Sequence, residues 1–252
     1  MRRLFRGKKF LKVAALIIGI SSTVLVVQLG ATSRPRFSPN DQRAINGFIH
    51  FYYDTGVWGG HTRWLGIPSF QSPTDNWVMQ EIIAEVKPDF IVETGTFNGG
   101  TTLFYASILG MVNENGRVIT IDIDPKVEEA SQRKIFRERV EVIKGDSVSP
   151  EVINRVAARV KNHTVLVTLD SVHTKKHVLK EMQLYSDLVS LNSYMVVQDT
   201  ILNGHPILPD YGEGPMEAVE EFLKTREDFT IDRSWEKFLL TFNPSGYLKK
   251  VK

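Results

Sequence analysis

One stretch, Phe90 to Thr102 (FIVETGTFNGGTT), narrows the possible folds sharply. An apolar run (Phe90, Ile91, Val92) ends in an acid, Glu93. A glycine-bearing turn from Thr94 to Gly100 then leads into a segment with helical character, Thr101 to Leu109. Strand, glycine turn and helix form the opening unit of a ligand-binding α/β sheet. Glycine lets the backbone approach a bound molecule, and the helix N-terminus offers free N–H groups to an anion. The turn is not the dinucleotide fingerprint G-x-G-x-x-G, so a tight turn without a ligand stands beside the ligand-binding reading.

Downstream, apolar runs alternate regularly with helical patterns. Arg117 to Ile121, Val140 to Ile143, Val165 to Leu169 and Tyr194 to Val197 read as strands. Helices are predicted at Lys126 to Phe136, Pro150 to Val160, Thr174 to Leu188 and Met216 to Lys224, with strand-like runs near Phe238 to Phe242 and Gly246 to Lys249. Upstream, helices are expected at Asp41 to Tyr53 and Trp77 to Val86. The aromatic loop between them (Trp58 to Pro68) reads either as a substrate lid or as a cover for one edge of the core. The alternation predicts a doubly wound, parallel α/β sheet.

At 252 residues the chain suits one such domain with appendages. A net charge of +2, with much of the basic excess near the N-terminus, leaves the body without a nucleic-acid footprint. The absence of cysteine excludes disulfides, thiolate metal sites and a cysteine nucleophile, and leaves the compartment open. The N-terminus itself is basic (residues 1–12), and an uncharged, apolar run follows at residues 13–33. Its length matches the roughly 20 residues of a bilayer span. It reads as a retained, single-pass signal anchor in preference to a cleaved signal peptide, for which Leu29-Gly30-Ala31 is a poor cleavage site. The positive-inside rule puts the remainder outside, away from a cytosolic cofactor, so the side occupied by the folded body stays open.

The strand ends carry the chemistry. Glu93, Asp122, Asp146 and Asp170 fall at the C-terminal ends of successive strands, where open α/β sheets bind ligands. An acid ending the second strand suits a ribose diol, Glu93 a cationic amino group, and Asp146-Ser147 an adenine edge. That set favours S-adenosylmethionine over a dinucleotide. The candidate cofactor residues are Glu93, Thr94, Gly95, Thr96, Gly99, Asp122, Asp124, Asp146, Ser147 and Asp170. A second cluster joins Asp170, His173, Gln198 and Asp199. Its carboxylates can bind Mg²⁺, with His173 as a proton acceptor or merely a structural hydrogen-bonding residue. His163 and His177 read as surface residues, and His205 as a loop residue that touches substrate at most.

Several motifs in order resemble the cephalosporin hydroxylase and rhamnosyl O-methyltransferase family, among the class I S-adenosylmethionine-dependent methyltransferases. They include WLGIP from Trp64, VETGTFNGGTT from Val92, IDID from Ile121, GDS from Gly145 and LDSVHTKKHVLKEM from Leu169. YMVVQDT from Tyr194, NGHPILPDYGEGPMEAVEEFL from Asn203 and TFNPSGYL from Thr241 follow. The resemblance implies a mostly parallel, seven-stranded, Rossmann-like sheet over residues 77–252, after a linker, helix and aromatic loop at 34–76. It implies methyl transfer to a hydroxyl of a sugar, glycolipid or related small molecule, with Asp170 and His173 catalytic. Mg²⁺ would be held by Asp170, Gln198 and Asp199. Gln198 stands where the family pattern has glutamate, which removes one negative charge and weakens the case for metal. Two other readings stand beside methyl transfer. One is hydroxylation, for which no 2-His-1-carboxylate iron set is evident; the other is a binding scaffold that has lost activity. The acceptor and the oligomeric state, a homo-oligomer included, are left open.

Overall fold

In the computed structural model, residues 37–252 are described. The anchor expected at residues 13–33 lies outside them; among the described residues no helix is long and apolar enough to cross a membrane. The described residues begin with helix α1 (Pro39–Asp54), a short hairpin β1 (Arg63–Trp64) and β2 (Ile67–Pro68), and α2 (Pro73–Val86). The sheet unit then runs β3 (Phe90–Thr94), α3 (Gly100–Val112), β4 (Arg117–Asp122), α4 (Lys134–Arg139), β5 (Val140–Lys144) and α5 (Pro150–Val160). It continues with β6 (Val165–Leu169), α6 (Lys175–Tyr185), β7 (Tyr194–Val197), α7 (Pro215–Phe222), β8 (Phe229–Ile231) and β9 (Tyr247–Lys250).

Seven strands form one sheet in the order β5-β4-β3-β6-β7-β9-β8, parallel as far as β7, with β9 antiparallel to both its neighbours. The central strands are apolar on both faces because helices cover both. Val92, Ile119 and Val167 pack with α5, α6 and α7, while Ile91, Val118 and Leu166 pack with α2 and α3. Helix starts follow local chemistry. Ser38 and Asp41 close a capping box on α1, and the Ser149 hydroxyl accepts the Val152 N–H at α5.

Two predicted elements differ. The helix expected at Lys126 to Phe136 is broken into a 3₁₀ turn (Ala130–Gln132) and the short α4. Lys126 N–H is engaged by the Phe97 carbonyl at 2.7 Å, and Val127, Ala130 and Phe136 fold over Gly99, so the chain closes on the glycine turn. Phe238 to Phe242 is not a strand. Leu239 has φ +65° with its N–H bonded to Glu236, and the Phe242 N–H is taken by buried Asp75. The strand beside β9 is instead β8, whose Phe229 packs edge-on against Phe222.

The aromatic loop serves the core in both its tryptophans. Trp64 stands edge-on to Phe104 and donates its Nε1–H to Ser107, and Trp58 stacks on Tyr53 beside Phe242. Trp58 also borders the main cavity.

Candidate functional site

A cavity of about 680 Å³ runs along the C-terminal ends of the parallel strands. The turn after β3 forms its floor. Gly95 has φ +87°, and a Cβ there would lie 1.9 Å from the Asp170 carbonyl oxygen. A Cβ on Gly100 would lie 1.8 Å from the Pro68 carbonyl oxygen. Only glycine lets the turn sit between the end of β6 and the strap that follows the hairpin.

Of the expected cofactor residues, Gly95, Thr96, Asp122, Asp146, Ser147 and Asp170 line this cavity. Asp122 also accepts the N–H groups of Phe97 and Asp124, both at 2.8 Å, which fixes the loops on either side of it. Glu93, Thr94, Gly99 and Asp124 are not in the lining. Glu93 is a correction. Its side chain is buried behind the turn, accepting the hydroxyls of Thr102 and Thr120, and burial raises its carboxyl to about 8. Thr94 uses its carbonyl and hydroxyl to hold the Asp170 N–H. Gly99 lies under Ala130 and Phe136, and Asp124 is exposed beside Lys126 and Lys144.

At the other end, His173 Nε2 stands 3.3 Å from Asp170 Oδ1 and 3.3 Å from Asp199 Oδ2. Burial disfavours a charge on His173, but the carboxylates of Asp199 and Asp170 outweigh it and hold the imidazole up to about 9. Burial raises both carboxyls, that of Asp199 to about 6. Gln71, buried in the strap, donates to Asp170 Oδ2 at 2.8 Å, and Asn243 accepts the Asp199 N–H at 2.9 Å. These three ligating groups converge within 4.8 Å of one another.

Gln198 does not line the cavity; its amide N–H₂ is buried and donates to Thr168 at 3.1 Å and to Tyr105 at 3.4 Å, while its Oε1 has no partner. His173 completes the cluster with Asp170 and Asp199. His177 is a second correction: it lines the cavity, with Nε2 3.2 Å from Ser147 Oγ and 3.4 Å from Glu181 Oε1. His163 is exposed near Asp89. His205 pairs with Glu217 at 2.9 Å. Burial opposes the charge on Glu217, but His205, the Gly214 N–H and Asn203 hold it down to about 2. That anchor fixes the loop which brings Leu208 and Tyr211 over the cavity.

The family model described as rhamnosyl O-methyltransferase/CmcI matches residues 56–251. A rhamnosyl O-methyltransferase of Mycobacterium leprae is 34% identical over 217 residues, covering 84% of this chain and 92% of the relative. That of Mycobacterium tuberculosis is 34% identical over 217 residues, covering 84% and 86%. Among solved structures, a CmcI Mg-SAM structure is 18% identical with TM-score 0.58 and covers 88% of each chain. A CmcI SAH structure has TM-score 0.56 and covers 88% of this chain and 96% of its own. At that identity the likeness is one of fold.

Proposed function

The chain belongs to the rhamnosyl O-methyltransferase/CmcI family, and from that premise we propose its reaction: S-adenosylmethionine-dependent O-methylation of a hydroxyl on a sugar that carries an apolar aglycone or lipid. The observation that carries this reading is the single cavity joining the Asp122 and Ser147 end to the Asp170, His173 and Asp199 cluster. Among the described residues its lining contains no Lys or Arg, which suits a cationic sulfonium cofactor and disfavours a dinucleotide pyrophosphate. Phe70, Phe97, Leu208 and Tyr211, all more than a third exposed, border the acceptor side, where an apolar aglycone gains from burial. The apolar run at residues 13–33 would hold the enzyme at a membrane that presents such an acceptor.

Asp170 and Asp199 fit a hard divalent cation such as Mg²⁺, since their oxygens converge and Gln198 is not required to reach them. Bound there, the ion would supply positive charge beside the developing alkoxide. The remaining work falls to the chain itself. Gln71 and Asn243 hold the two aspartates in place. His173 Nε2, in the neutral form whose share grows as pH approaches about 9, accepts the proton of the acceptor hydroxyl as its oxygen bonds to the methyl carbon and the carbon–sulfur bond breaks. Hydroxylation is disfavoured: the cluster holds one histidine and two carboxylates, and His177 is tied to Ser147 and Glu181.

The test is calorimetric titration of S-adenosylhomocysteine into the full chain in detergent, then methylation of phenyl and octyl rhamnosides with methyl-labelled S-adenosylmethionine. We expect micromolar binding, weakened at least about tenfold in Asp122→Ala, and faster turnover of the octyl glycoside. Absence of binding with and without Mg²⁺ would sink the methyltransferase reading. Binding without rhamnoside methylation would sink only the sugar assignment.

A further inference from the structure

Two polar groups on the cavity wall, Ser171 and His177, meet one side chain that is absent from the cavity lining, and a third, Ser147, is joined to it through His177. Glu181, on α6, is fully buried. Its Oε1 accepts the Ser171 hydroxyl at 2.7 Å and faces His177 Nε2 at 3.4 Å; the same His177 nitrogen lies 3.2 Å from Ser147 Oγ. Ser147 is held from behind as well, by the Tyr185 hydroxyl on its carbonyl at 2.8 Å. Ser147, Ser171 and His177 all line the cavity. The second oxygen of Glu181 has no partner. A buried carboxylate served only by one hydroxyl and one imidazole is costly, and the apolar face it occupies between Val178 and Met182 favours a hydrophobic residue for stability alone.

We propose that Glu181 is a positioning residue that fixes the hydrogen-bond polarity of the cavity wall so that it reads the purine of the cofactor. The inference rests on the S-adenosylmethionine reading above. A carboxylate only accepts, so the Ser171 hydroxyl proton points at Glu181 and its lone pairs are left for the cavity. The His177 nitrogen facing Glu181 must carry its proton, and it presents that proton to Ser147 Oγ as well. The Ser147 hydroxyl proton is thereby free to point into the cavity. The wall offers an acceptor at Ser171 and a donor at Ser147. Adenine presents the matching pair, an amino donor beside a ring-nitrogen acceptor. Hypoxanthine, with a carbonyl and a ring N–H at the same edge, presents the reverse. Without the carboxylate both hydroxyls rotate to suit either base, and the discrimination is lost although the pocket keeps its shape.

The experiment compares S-adenosylhomocysteine with S-inosylhomocysteine by calorimetry on the full chain, for wild type, Glu181→Leu and Ser171→Ala, with thermal unfolding alongside. The wild type is expected to prefer the adenine compound by about a hundredfold, the effect of two mispaired buried groups. Glu181→Leu, which removes the shared acceptor oxygen, should bring the preference within about fivefold, mainly by tightening the inosine compound. Ser171→Ala, which removes the cavity acceptor itself, should lower the preference in the same direction and covers the case in which Glu181→Leu does not fold. An unchanged preference in a folded Glu181→Leu overturns the proposal. So does an equal loss of affinity for both compounds, which marks a structural role only. If the wild type binds neither compound, the cofactor reading itself has failed.

Discussion

Asp75 gives the sharpest stability prediction. It sits in the first turn of α2, fully buried, and accepts the Phe242 N–H at 2.8 Å and the Tyr247 hydroxyl at 3.0 Å. Burial outweighs these bonds and raises its carboxyl from 3.8 to about 6. The raised folded-state value means that the native state holds a proton which the unfolded chain releases between those pH values. The associated stability is fully present below 3.8 and is lost as pH rises through about 6. At about 1.36 kcal/mol per pH unit the difference corresponds to about 3 kcal/mol. For a domain of this size that is a change of roughly 6–12 °C in melting temperature. The assay is thermal unfolding of wild type and Asp75→Asn from pH 4 to 7.5, read as the difference between the two proteins, so that other titrations cancel. Asparagine keeps one oxygen for the Phe242 N–H and does not titrate. The wild-type advantage should shrink by about 2.4 kcal/mol between pH 4 and 7 and then stay level. A difference that is flat across this window, or grows with pH, refutes the reasoning. The consequence reaches the site, because the segment Asp75 pins also carries Asn243, which holds Asp199.

Two further outcomes follow from the strap and the turn. Gly95→Ala forces a side chain to φ +87° with its Cβ 1.9 Å from the Asp170 carbonyl, so β3 and β6 must part. A loss of about 3 kcal/mol or more and of S-adenosylhomocysteine binding is expected by unfolding and calorimetry; a variant within about 1 kcal/mol of wild type contradicts the geometry. Gln71→Leu removes the donor at 2.8 Å from Asp170 Oδ2. It should lower kcat by roughly tenfold or more while KM for S-adenosylmethionine moves less than about twofold, and equal effects on both would show a binding role instead.

Much of the sheet is legible in the chain. Runs such as VLVTL and YMVV are buried at every position because helices cover both faces. The failures have physical causes of the same kind. The pattern from Lys126 to Phe136 is amphipathic, but its apolar members are drawn onto Gly99, and closing that gap breaks the helix. Phe238 to Phe242 has strand-forming residues, but its backbone donor is taken by Asp75. Gln71 gave no signal, because a glutamine before a helix is ordinary in a loop and its partner lies 99 residues away.

Glu181 and Asp75 did carry a signal. In α2 the buried positions are Asp75, Val78, Met79, Ile82 and Ile83, and in α6 they are Val178, Glu181, Met182 and Tyr185. Both acids stand on the apolar stripe at the three- and four-residue spacing that faces the core. A carboxylate on the solvent face of a helix asks for no explanation, whereas one on the buried stripe must find hydrogen bonds or lose its charge. The two acids take different routes. Asp75 meets a backbone N–H and a tyrosine hydroxyl and is raised to about 6, joining α2 to the C-terminal segment. Glu181 meets a serine and a histidine that both border the cavity, joining α6 to the wall. In a sheet whose helices bury one stripe each, an acid within the stripe therefore marks where a helix is connected to something other than core. Here the first connection leads to the loop of Asp199 and the second to the wall of Ser147 and Ser171, both bordering one cavity.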